Sequence, residues 1–179
     1  MGRCRSFRLR FGSRLGVGAA AFLWLLAAGG AAYSFGGGLR DDGTLVGRAK
    51  VIDGDSLDLG GTQIRLFGID APEGRQTCRN AEGRDYRCGR AATAALRRLV
   101  GRSVVRCEPR DIDGYGRTVA VCFKDGIDLN GWMVENGWAV AYRHYSRDYV
   151  AAEERARARR LGIWAGSFEE PWRWRRENR

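Results

Sequence analysis

The chain has 179 residues, enough for one domain with a true core and too few for two of ordinary size. Its 31 basic and 21 acidic residues give a formal net charge of +10, but the excess sits at the ends: residues 1–14 hold five Arg and no acid, residues 155–179 hold eight Arg against three Glu, and the stretch between is neutral. His144 is the only histidine, which removes Ser-His-Asp triads, paired-histidine schemes and histidine-built zinc sites, so a hydrolase of this composition has to work with carboxylates and arginines.

The chain opens with the arginine-rich "MGRCRSFRLRFGSR", and residues 15–33 follow without a charge. That pattern is a signal peptide or a membrane anchor, and it places the rest of the protein outside the cytoplasm: periplasmic, secreted, or tethered to the inner membrane. Residues 34–46, rich in Gly and Asp, read as a linker, and residues 47–166 as the folded domain. In an oxidising compartment Cys78, Cys88, Cys107 and Cys122 suggest two disulfides, whereas Cys4 belongs to the leader. Three pairings are possible on paper. Cys78 with Cys88 would close a short loop and Cys107 with Cys122 would join two strand-like runs, which makes these the bonds to test; the spacings are too wide for a zinc site.

"RAKVIDGDSLDL" and "TQIRLFGI" flank Gly60-Gly61, a hairpin signal, because tight primed turns need positive φ. "GRAATAALRRLVG" brings Ala92, Leu96, Leu99 and Val100 to one helical face and stops at Gly101. "SVVRCEP" and "RTVAVCF" read as strands joined by the loop "RDIDGYG". "DLNGWMVENGWA" is a short helix and "YVAAEERARARRLG" a longer one, acidic early and basic late as the helix dipole prefers. Residues 167–179 form a basic Trp/Arg tail, a composition suited to nucleic acid, to packing across a barrel or to a membrane interface.

Within the hairpin, Asp53, Asp55, Asp70 and Glu73 stand close in sequence to Arg65 and Arg75. Solvated turn residues would give the same string. Hard divalent cations take oxygen ligands, so Asp55 and Asp70 are also a candidate pair for Ca²⁺ or Mg²⁺. A flat hairpin closed at Gly60-Gly61 pairs Ser56 with Arg65 and points Asp55 and Arg65 to opposite faces, so a bulge or curl near Asp53-Gly54 has to re-aim Asp55.

"VIDGDSLDL", "IRLFGIDAPE", "DGYGRTVA" and "LGIW", in this order, resemble the staphylococcal nuclease (thermonuclease) family, over roughly residues 47–164, and "PWRWR" is common in the tails of its exported bacterial members. The resemblance implies an α+β fold, an OB-type five-stranded Greek-key barrel with about three helices. It implies a Ca²⁺-dependent phosphodiesterase, with Mg²⁺ or another divalent ion as the alternative, acting on DNA and RNA with little sequence preference, single strands favoured, and working as a monomer. Position by position it assigns Asp55, Asp70 and the backbone carbonyl of Ala71 to the metal, Ala standing where the family usually has Thr. It assigns Glu73 to the attacking water, Arg65 and Arg117 to the phosphate, and Tyr115 and Tyr142 to the bound nucleotide. Two other classes remain open: an idle nucleic-acid-binding OB module, disfavoured because the whole acid and arginine set is present, and a cell-envelope or exopolysaccharide accessory protein.

Overall fold

A computed structural model describes residues 43–178, with the backbone of Gly38–Leu39. The charged leader and the apolar run after it lie outside the described residues. Among the described residues no helix is long and apolar enough to cross a membrane.

Five strands form a closed barrel: β1 (Leu45–Val51), β2 (Ser56–Leu59), β3 (Thr62–Leu66), β4 (Val104–Ile112) and β5 (Thr118–Lys124). Antiparallel ladders join β1 to β2, β2 to β3, β4 to β5 and β1 to β4, and a parallel ladder joins β3 to β5. This is the OB-type α+β architecture. The glycine turn sets the register as its chemistry requires: Gly60 and Gly61 both have positive φ, and Ser56 lies opposite Arg65. Leu57, Ile64, Leu66, Val105 and Ala120 alternate inward and meet Leu96 of helix α1 (Cys88–Val100) and Leu129 and Met133 of α2 (Leu129–Glu135) in one core. Burying each such aliphatic side chain contributes about 1.5–3 kcal/mol, which makes this core the dominant favourable contribution to folding.

Helix α1 ends at Gly101, where φ is +57°. Helix α3 (Val150–Ala158) carries Glu153 in its first turn. Trp132 and Trp138 are half-buried against the core, as their spacing suggests.

Two readings of the sequence need correction. Strand β4 runs on to Ile112, so the connecting loop is only residues 113–117 and not the whole of "RDIDGYG". The register shifts between Pro109 and Asp111, and that irregularity lets the strand pass a residue with no N–H to donate. The tail also forms a fourth helix, α4 (Pro171–Glu177), with Pro171 in its first turn, where the missing N–H costs nothing.

Disulfides join Cys78 to Cys88 and Cys107 to Cys122. Cys107 and Cys122 face each other across β4 and β5. Cys78 and Cys88 lie in a second, smaller core with Val140 and Ile163, against which Tyr86, Trp164, Phe168 and Trp172 pack. The tail is thus seated on the disulfide loop, and Ser167 adds a two-way backbone bridge to Arg79.

Candidate active site

The bend at Asp53-Gly54-Asp55 performs the re-aiming that a flat hairpin denies. Gly54 packs so closely on Ala71 and Ala92 that an added Cβ would stand 2.7 Å from the Ala71 Cβ. Only glycine allows the chain to turn there, and the Asp53 carboxylate steadies the turn by accepting from the Asp55 N–H at 3.1 Å. Asp55 then points inward. Its Oδ1 accepts from Arg65 Nη1 at 2.9 Å and from Ser56 Oγ at 3.1 Å, and its Oδ2 accepts from the Ala71 N–H at 2.8 Å.

Asp70 arrives from the other side. The bridge Ile69–Asp70 pairs with Val140–Ala141, which fixes Asp70 as a wholly buried residue. Arg65 Nη2 donates to Asp70 Oδ1 at 2.6 Å, so one guanidinium spans two buried carboxylates with a separate nitrogen for each. Each of these is a charge-assisted hydrogen bond, roughly twice as strong as one between neutral groups.

Burial pushes the Asp55 carboxyl from its ordinary 3.8 up to about 7; Arg65 pulls it down, while the charges of Asp53 and Asp70 add to the rise. A carboxyl whose folded pKa stands above its unfolded value stabilises the fold fully below the unfolded value and loses that contribution as pH rises through the folded one. We therefore expect the thermal midpoint of chelator-treated protein to fall between roughly pH 4 and 8, and Asp55→Asn to flatten that fall. A variant with the same pH profile as the parent would reject the assignment.

Glu73 follows on the loop that leaves Asp70. Buried Gln76 holds this loop: its Oε1 accepts from the Glu73 N–H at 3.1 Å, its own N–H reaches the Glu73 carbonyl at 2.7 Å, and its Nε2 donates to the Glu169 carbonyl at 2.7 Å. The Glu73 side chain is partly open to solvent. Arg75, close by in sequence, is exposed.

The remaining sequence candidates meet at a cavity of about 320 Å³ whose walls include Arg65, Arg117, Tyr115, Tyr142, Tyr145 and Arg175. Asp113 orients Arg117, accepting from its Nε at 2.8 Å and its Nη2 at 2.7 Å. Tyr115 is 82% exposed, with the Arg117 guanidinium 5.5 Å from its ring centre. Tyr142 stacks obliquely on Trp172, ring centres 5.7 Å apart. His144 is exposed, as a lone surface histidine would be.

Asp55, Asp70, Ala71, Glu73, Arg65, Arg117, Tyr115 and Tyr142 therefore converge on one face of the barrel. Sequence reasoning missed Gln76, Asp113 and Arg175. Arg175 donates from α4 to both oxygens of Asp70, at 2.8 and 3.0 Å, and to Glu73 Oε1 at 2.9 Å. The only trace of it in the sequence is the alternation of Trp and Arg in the tail.

The candidate ligand atoms, the carboxylates of Asp55 and Asp70 and the Ala71 carbonyl, are all oxygens, which suits a hard divalent ion and not zinc. Among the described residues no three His, Cys, Asp or Glu side chains gather as a ready cage. An ion here would rest on the two Asp carboxylates and a backbone carbonyl, and take the rest of its coordination from water.

Residues 63–166 match the family described as "Staphylococcal nuclease homologue". "Succinoglycan biosynthesis protein ExoI" of Rhizobium meliloti (strain 1021) is 39% identical over 128 residues, covering 70% of this chain and 67% of that protein. The "Micrococcal nuclease" of Shigella flexneri is 32% identical over 148 residues, 73% of this chain and 79% of that protein. An "Uncharacterized endonuclease" of Haemophilus influenzae is 35% identical over 138 residues, 73% and 72% of the two chains.

Proposed function

Because the chain belongs to the staphylococcal nuclease family, and is a nuclease by that membership, we propose that it hydrolyses phosphodiester bonds of DNA and RNA with a divalent ion, Ca²⁺ foremost, and with little regard for sequence. The observation that carries this reading is the Arg65 fork across buried Asp55 and Asp70, at a cavity that Arg117 and Tyr115 also line.

Asp55, Asp70 and the Ala71 carbonyl would hold the ion. When bound, it supplies a Lewis acid to a phosphoryl oxygen. Glu73, partly open to solvent, takes the proton of the attacking water as the new P–O bond forms. The bond to the leaving oxygen breaks, and that oxygen takes up a proton from solvent. Arg65 and Arg117 stabilise the charge that builds on the phosphoryl oxygens, a task for fixed forks in a partly desolvated cavity. Asp113 keeps Arg117 aimed. Tyr115 and Tyr142 offer ring faces to bases, and stacking accepts any base, in keeping with low specificity.

Single strands are the preferred substrate in this reading, since stacking needs unpaired bases. The two disulfides support export of the domain, periplasmic, secreted or held at the membrane by an uncleaved leader, and a monomer suffices because every proposed part lies on one chain.

The test is digestion of single-stranded DNA and of RNA by purified protein with Ca²⁺, repeated in EGTA. Cleavage that stops on chelation and returns with added Ca²⁺ is expected. Cleavage that survives EGTA would remove the metal from the mechanism, and absence of any cleavage would leave a nucleic-acid-binding module.

A further inference from the structure

Arg175 lies 105 residues from Asp70 in the chain, yet its guanidinium engages both Asp70 oxygens and one oxygen of Glu73. The anchoring is extensive. Pro171 is buried, Trp172 packs on Tyr142 and on the core around the Cys78–Cys88 bond, and Gln76 holds the Glu169 carbonyl immediately before the helix.

We infer that Arg175 is the resident counter-cation of the active site, and that a divalent ion loads by displacing it from Asp70. The inference rests on the reading of Asp70 as a metal ligand.

Three observations carry it. Asp70 is wholly buried and both its oxygens already accept from Arg175, one of them also from Arg65, so three of its four lone-pair sites are taken and a cation finds at most one, on Oδ2. A hard ion needs carboxylate oxygens at about 2.0–2.6 Å, and two cations crowded on one buried carboxylate repel strongly. Charge matching points the same way. In the metal-bearing site, where Asp55 is ionised as a ligand, Asp55, Asp70 and Glu73 carry three negative charges against the two guanidiniums of Arg65 and Arg175. Exchanging Arg175 for a doubly charged ion brings the set to neutrality, whereas adding the ion beside Arg175 would leave a buried positive excess.

The exchange does not require the helix to undock. The Arg175 side chain is 31% exposed and already lines the cavity of Arg65 and Arg117, so a rotation about its own long stem carries the guanidinium off Asp70 while Trp172 stays seated. A closed latch lowers the apparent metal affinity in proportion to the fraction of molecules whose Asp70 is free.

The test is calorimetric titration of full-length, chelator-stripped protein with Ca²⁺, comparing the parent with Arg175→Gln and Arg175→Lys. With a latch closed in about nine molecules of ten, Arg175→Gln binds Ca²⁺ roughly tenfold more tightly, and Arg175→Lys, which keeps the charge and loses the fork, falls between. Circular dichroism of each metal-free variant checks the fold; if Arg175→Gln is unfolded, Arg175→Lys alone decides, and it must then bind more tightly than the parent. Binding by the variants alone also supports the exchange. A parent that binds Ca²⁺ and cuts, with variants that bind no more tightly, overturns the exchange and leaves the proposed activity standing. Absence of Ca²⁺ binding in parent and folded variants overturns both.

Discussion

Arg65→Lys is expected to fold and to lose about 10²- to 10³-fold in turnover, the usual cost of removing one positioned donor from a developing oxyanion. The substitution keeps the positive charge that two buried carboxylates require, so the charge balance of the fold is largely retained. It loses the fork: Arg65 reaches Asp55 with Nη1 and Asp70 with Nη2, and one ammonium on a flexible stem cannot hold both carboxylates and present a further N–H to phosphate. Arg65→Ala is a poorer test, because removing one member of a buried ion pair leaves an uncompensated charge and costs about 3–5 kcal/mol in its own right. Turnover should be measured with Ca²⁺ saturating, beside a thermal melt. Turnover within threefold of the parent, in a folded variant, would show that the Arg65 fork does not act on the transition state.

Gly89→Ala carries the second large effect, and two principles give it opposite signs. Gly89 is the second residue of α1, and alanine is the better helix former by about 1 kcal/mol, so propensity alone favours the change. Contact opposes it. A Cβ on Gly89 would stand 1.7 Å from the Glu73 carbonyl oxygen and 2.4 Å from its carbon, against backbone that has no flexible end to yield. Overpacking of this kind costs about 1–3 kcal/mol, which outweighs the propensity gain. Relief must come from moving the start of α1, which Cys88 ties to Cys78, or the loop that carries Glu73. A shift of about 1 Å in a reacting group costs on the order of 10²-fold in rate. Gly89→Ala should therefore lower both the denaturation midpoint and the turnover, with Ca²⁺-dependent cleavage falling further than the loss of folded protein explains. A variant as stable and as active as its parent would show that the loop has room to spare.

The hairpin of β2 and β3 was legible because its cause is local: two glycines accept positive φ at no steric penalty, and the turn then dictates which residues face each other. The need for a bend at Gly54 was legible by the same reasoning, since strand geometry alone puts Asp55 and Arg65 on opposite faces. Helix α1 announced itself through its apolar face and its stop at Gly101. The family's motifs named the acids and arginines; the structure brings Arg65 and Arg117 to one cavity and sets Asp55 and Asp70 behind Arg65.

What the sequence by itself determined was conformation at short range: the turn at Gly60-Gly61, the alternation of β2 and β3, and the stop of α1 at Gly101, all of them settled by sterics and periodicity among neighbours. Tertiary structure alone decided that β3 runs parallel to β5, that Gln76 grips the tail and that Arg175 lies on Asp70. These contacts join residues far apart along the chain. No local preference encodes them, because each exists only after the barrel has closed and offered a buried carboxylate to a guanidinium brought in from the other end of the domain.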